Sequence, residues 1–216
     1  MAFAKELKQT EEKKQKEIKF NFSLNEEQKK TKAKILEATV SMLIGKAGSG
    51  KSTLASQIAL DMLFNKEVEK IIVTRAMVVA GNEEIGFLPG GVNDKLAPFT
   101  APVYDCMHRL YKKELIEKLV VEGKIEVIPF AWMRGRNFSN CVIICDEFQN
   151  CTVKQTELLI TRMCQGSKLI LCGDSSQIDL RETKLSGLET VLHKFNNKKN
   201  FYVAELKQNH RHPIVD

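Results

Sequence analysis

A chain of 216 residues, 43% hydrophobic and 28% charged, is long enough to bury a core without disulfides or a structural metal. Its formal charge of +6 permits a polyanionic partner without demanding one. Six cysteines without a C-x-x-C pair argue against a zinc site; with no hydrophobic signal core near the start and no apolar run of about eighteen residues, the expectation is a cytoplasmic protein with reduced thiols and no membrane partner.

Met1–Asn21 alternates lysine and glutamate with few apolar positions, so residues 1–22 are expected to be a charged lead-in, helical or disordered, ahead of one domain over 23–216. Ser23-Leu-Asn-Glu26 predicts a capping box with Ser23 as N-cap, opening a helix that continues through Ile35–Leu36. Five short apolar runs follow: Val40–Ile44, Ile71–Thr74, Ile125–Pro129, Val142–Cys145 and Leu169–Cys172. Helical stretches lie between and after them at Ser52–Phe64, Val103–Val121, Val153–Cys164 and Leu185–Phe195, and Phe201–Glu205 offers a sixth strand. This alternation predicts an α/β fold with a parallel sheet covered on both faces. Met77–Pro102, rich in glycine and proline, is a long excursion from the sheet.

Gly45-Lys46-Ala47-Gly48-Ser49-Gly50-Lys51-Ser52 fits G-x-x-x-x-G-K-[ST] between a strand and a helix. Glycines let backbone N–H groups turn toward a β-phosphate at the positive end of the helix. Lys51 is then assigned to the β- and γ-phosphates, Ser52 to Mg²⁺, and Thr53 to the first helical turn beside the nucleotide. Val142-Ile-Ile-Cys-Asp146-Glu147 is a buried strand ending in two acids, and buried carboxylates need a cation or hydrogen bonds. Asp146 is assigned to Mg²⁺ with Ser52, and Glu147 to orienting the attacking water; the alternative is a plain helix cap. An acid at Glu147 is typical of helicase-, recombinase- and AAA-type ATPases, in which a further strand separates the phosphate-loop strand from the acidic one. Leu169–Cys172 is the candidate, and Gln177 at its exit would then reach the γ-phosphate.

With these motifs in order, the chain resembles the PhoH family of ATPases related to superfamily 1 helicases. The resemblance is carried by Gly45–Ser52, Val73-Thr-Arg75, Gly86-Phe-Leu-Pro-Gly90, Trp132-Met-Arg-Gly-Arg136, Asp146-Glu-Phe-Gln-Asn150, Gly173-Asp-Ser-Ser-Gln-Ile-Asp179, Ser186-Gly-Leu188 and Arg211-His-Pro213. Ala76, Phe148 and Ser175 depart from the residues usual at those places. The resemblance implies a three-layer RecA-like P-loop NTPase core, Mg-ATP as ligand, Gln28 as the amide that reads adenine, and Arg211 as an arginine reaching a γ-phosphate, in its own chain or a neighbour's. It also suggests self-association as a ring, with a hexamer as candidate size.

Arg75, Arg134 and Arg136, interleaved with Trp132 and Phe138, are candidate contacts for RNA or single-stranded nucleic acid. The alternative is that these arginines pair with glutamates or with ATP itself. The leading functional expectation is ATP hydrolysis coupled to nucleic-acid remodelling. A nucleotide-switched binding module and a small-molecule kinase are the alternatives.

Overall fold

The computed structural model describes residues 18–76, 92–180, 186–195 and 198–208. Short runs rich in valine, isoleucine and leucine suit a pleated surface buried on both sides. They form β1 (Val40–Ile44), β2 (Lys70–Arg75), β3 (Ile125–Val127), β4 (Cys141–Asp146), β5 (Lys168–Gly173) and β6 (Phe201–Glu205). All pair in parallel in one six-stranded sheet of order β3-β2-β4-β5-β1-β6. The strand expected between the phosphate-loop strand and the acidic strand is β5.

Strand periodicity divides the core in two. In β4, Val142 and Ile144 face one layer, and Cys141, Ile143 and Cys145 the other. The first face packs on α1 (Glu26–Glu37), α2 (Lys51–Phe64), α3 (Val92–Leu110) and α4 (Lys113–Val121) through residues such as Ile35, Ile58, Met107 and Ile116. The second packs on α5 (Val153–Thr161) and α6 (Gly187–Phe195) through Leu159, Leu188 and Val191. Cys145 and Cys172 sit fully buried in central strands, where burial pushes their thiols well up, so they act as small hydrophobes.

Three expectations are corrected. Val92–Pro102, expected as part of a loop excursion, forms the first turns of α3. The N-cap of α1 is Asn25, not Ser23: its side chain accepts the Gln28 N–H at 2.8 Å, and Gln28 Oε1 accepts the Asn25 N–H at 3.1 Å. Starting the helix later leaves Leu24 free to pack on the core. The stretch Val103–Val121 is not one helix, because Lys112 is extended (φ −55°, ψ 122°). There Asn21 donates its backbone N–H to the Leu110 carbonyl and its side-chain amide to that of Arg109, both at 3.0 Å. Those carbonyls end α3 already satisfied. Tyr111 at the break packs its ring on Phe20 and Phe64, so contacts of the packed body extend back to Phe20. Among the described residues no helix is long and apolar enough to cross a membrane.

Candidate nucleotide site

Parallel register brings the tips of four strands to one edge. Ile44 pairs with Gly173, and Arg75 with Asp146. The next residues, Gly45, Asp174 and Glu147, therefore leave the sheet side by side at its carboxyl end, where crevices in open parallel sheets form.

The phosphate loop is built by its backbone. Gly50, the N-cap of α2, has φ +85°, a left-handed conformation that glycine adopts without strain. A Cβ on Gly45 would lie 2.5 Å from the Leu206 carbonyl oxygen and 2.7 Å from Ser49 Oγ, so no side chain fits there. Lys51 folds over the loop and donates from Nζ to the carbonyls of Gly45 (2.6 Å) and Lys46 (3.0 Å). Ser49 Oγ is buried without a hydrogen-bond partner among the described residues. The first N–H groups of α2, which have no intrahelical acceptor, a cation and an unpartnered hydroxyl form a cradle suited to phosphate.

Ser52 Oγ donates to Asp146 Oδ1 at 2.7 Å, which brings together the two side chains assigned to Mg²⁺. Burial pushes the Asp146 carboxyl above its ordinary range; the Ser52 hydrogen bond opposes this and the charge of Glu147 adds to it. A partly buried acid hydrogen-bonded to a hydroxyl at the mouth of the cleft is a group that a divalent cation would stabilise, so the donor set fits the metal. Glu147 stands at φ +51°, unusual for a non-glycine residue, and breaks the strand before a short 3-10 turn, Phe148–Asn150. Its carboxylate is bonded on both oxygens: Gln149 Nε2 donates at 2.7 Å, and Arg75 Nη2 lies 3.5 Å away.

Gly50, Lys51, Ser52, Arg75, Asp146 and Glu147 line one cleft of about 650 Å³, together with Gln28, Ala47, Gly48, Thr53 and Gln177, whereas Gly45, Lys46 and Ser49 shape the loop without lining it. Gln177 is exposed at the exit of β5, where its N–H donates to the Asp174 carbonyl. Gln28 is buried rather than an exposed helix glutamine, its oxygen committed to the Asn25 N–H, and its side chain lines the same cleft. Arg211 and the Gly86–Gly90 run lie outside the described residues.

Several residues in or beside the cleft escaped the sequence reading. Gln149 is buried, gives its amide N–H to Glu147, and accepts the Asp174 N–H on Oε1 at 3.0 Å, tying β4 to β5. Asp174 is buried, with Oδ1 bound to Ser176 and Oδ2 without a hydrogen-bond partner among the described residues. Both lie inside stretches quoted for the resemblance, yet spacing gives no sign of which residue faces inward. Phe22, half exposed, and Arg109 also line the cleft. Phe22 was visible only as an apolar residue at the end of a charged run.

The nucleic-acid candidates part company. Arg75 lies in the cleft beside Glu147. Arg136 donates to Glu126 at 2.7 Å and rests 5.2 Å from the Phe138 ring centroid, so its guanidinium already has partners. Burial raises the Glu126 carboxyl, but hydrogen bonds from Arg136 and Lys70 outweigh it and leave the group below its usual range. Trp132 and Arg134 are exposed at the exit of β3.

A family model described as PhoH-like protein matches residues 22–216. The chain is 41% identical over 178 residues to a PhoH-like protein of Synechocystis, covering 82% of this chain and 54% of that protein. It is also 41% identical over 174 residues to a PhoH-like protein of Bacillus subtilis, covering 80% and 54%. The chain thus spans about half the length of the curated relatives it matches. Among solved structures it is similar to the large terminase of the thermophilic bacteriophage D6E, with a TM-score of 0.55 at 11% identity over 85% of this chain and 46% of that one. That likeness concerns the fold, a RecA-like parallel α/β core.

Proposed function

The chain belongs to the PhoH-like family of P-loop NTPases, and from that premise we propose that it is a magnesium-dependent ATPase whose turnover is coupled to RNA or another single-stranded nucleic acid in the cytoplasm. The observation that carries this reading is the Ser52–Asp146 hydrogen bond at the mouth of the phosphate loop, with Glu147 next to it. Magnesium, held by Ser52 and Asp146, would neutralise phosphate charge during transfer to water. The Lys51 ammonium would exchange its two loop carbonyls for phosphate oxygens, a charge-assisted and stronger partner. Glu147 would take a hydrogen bond from the attacking water and align it. Gln28 would give its amide N–H to the base N7 and the second lone pair of its oxygen to the N6 amine, and thereby favour adenine. Gln177, at the β5 tip, would sense the terminal phosphate.

The test is multiple-turnover phosphate release alongside binding of a non-hydrolysable ATP analogue. Lys51→Ala should weaken binding by about a hundredfold or more, since it removes hydrogen bonds from a charged donor. Glu147→Gln should bind as the parent does and turn over at least about a hundredfold more slowly. Parent-like turnover by Glu147→Gln would remove the water-aligning role.

We extend the reading to self-association as a ring, with Arg211 reaching across a boundary between protomers. Mixing Arg211→Ala with Lys51→Ala should then restore part of the activity that each lacks alone. No recovery on mixing would confine Arg211 to its own chain.

A further inference from the structure

Glu147 is gripped by two neighbours of opposite character. Gln149 is a fixture. It is buried, its amide is used at both ends, and its backbone carbonyl accepts the Ser186 hydroxyl at 2.7 Å. Arg75 is a looser partner, since its side chain keeps 27% of its surface exposed and its Nη2 stands 3.5 Å from Glu147 Oε1. Its position in the sheet is between two districts. β2 ends at Arg75 with β4, which leads to Glu147, on one side and β3 on the other. The segment leaving β3 carries exposed Trp132 and Arg134.

We propose that Arg75 is a positioning residue with two alternative partners, Glu147 at rest and a backbone phosphate of single-stranded nucleic acid during work, so that strand binding releases the water-aligning carboxylate. This rests on the ATPase reading above. A partly exposed ion pair is weak, and the planar guanidinium fork matches a phosphate with two parallel bonds, so phosphate can outcompete a carboxylate held at the edge of hydrogen-bond distance. While the pair stands, Glu147 Oε1 is committed to the guanidinium and Oε2 to Gln149, and neither oxygen is fully available to a water. When Arg75 leaves, Gln149 keeps the carboxylate in register with the β5 tip. One arginine thereby links strand occupancy to turnover. A flank in which Arg136 is already paired leaves Arg75 and Arg134 as its working guanidinium groups.

Two readouts test this, one of them independent of turnover. Binding of a fluorescent single-stranded oligouridine is followed by anisotropy across a salt series without nucleotide. Arg75→Ala should bind several-fold more weakly, with a salt slope smaller by about 0.7, the loss of one single-strand phosphate contact. Glu147→Gln should bind about two- to fivefold more tightly than the parent, because the competing carboxylate is gone. In phosphate release, Arg75→Ala should exceed the parent's rate without RNA and lose stimulation by oligouridine, while Arg75→Lys keeps part of it. The proposal is overturned by parent-like oligouridine affinity in both Arg75→Ala and Glu147→Gln, or by an Arg75→Ala protein that stays slow without RNA and is stimulated as the parent is. A parent protein that releases no phosphate at all would strike down the ATPase reading instead, and the binding arms would still decide whether Arg75 exchanges partners.

Discussion

The loop Gly45–Ser52 and the segment Phe130–Arg136 both leave the same edge of the sheet and both carry basic side chains, yet they are built on different principles. In the loop the working groups are backbone amides and carbonyls, and even Lys51 is placed by carbonyls five and six residues back. In the segment after β3 the working groups are side chains whose partners come from elsewhere. Glu126 claims Arg136, Phe138 lies under it, and Trp132 and Arg134 are left exposed. A short motif dictates the first because its geometry is local. The second is decided by which glutamate the fold happens to bring near.

The sharpest way to break this contrast is at Gly45. If backbone geometry is the working element, Gly45→Ala should lower ATP-analogue affinity about tenfold or more, because its methyl would press on the Leu206 carbonyl and on Ser49. Isothermal titration measures it, and unchanged affinity would mean the loop tolerates a shift that the cradle argument forbids. A second comparison separates neighbours of like charge. Arg134→Ala should weaken oligouridine binding several-fold and reduce its salt dependence, whereas Arg136→Ala should leave the salt slope as in the parent and instead lower the melting temperature through loss of the Glu126 pair. Equal effects of the two on the salt slope would show that Arg136 changes partner on binding.

The same contrast explains what was legible in the sequence. Strands β1 and β6 match their predicted bounds, and β4 differs by one residue at each end, because continuous apolar runs between turn residues admit little else. The phosphate loop and the Asp146–Glu147 pair were legible for a related reason, since each is a contiguous motif at a strand exit. Gln149 was not. Its importance comes from the β5 tip lying beside it, a contact between residues 149 and 174 that no local pattern encodes. The capping box was misplaced by two residues because Ser23 and Asn25 are both good N-caps. The decision fell to Leu24, which the core draws in. The break before α4 depended on Asn21 satisfying carbonyls 88 and 89 positions away in sequence, which helix periodicity is blind to.

The smallest expected effect concerns the cost of keeping a cation site ready. Asp146 is partly buried, and loss of hydration raises its carboxyl above the ordinary value near 3.8, so folding favours its protonated form. Any stability it contributes is fully present below that ordinary value and is lost as pH rises through the folded value. At neutral pH the ionised group is therefore a burden in the absence of magnesium. Asp146→Asn keeps an oxygen to accept the Ser52 hydroxyl and removes the partly buried charge. Without nucleotide or metal it should melt about 2–4 °C above the parent at pH 7, the shift that about 1 kcal/mol produces in a domain of this size. That advantage should fade toward pH 4, and saturating magnesium and ATP analogue should reverse the order, since only the parent gains from the metal. An Asp146→Asn protein that melts no higher than the parent at pH 7 would mean that Ser52 and the surrounding dipoles already compensate the charge, and that the carboxylate is not held in wait for a cation.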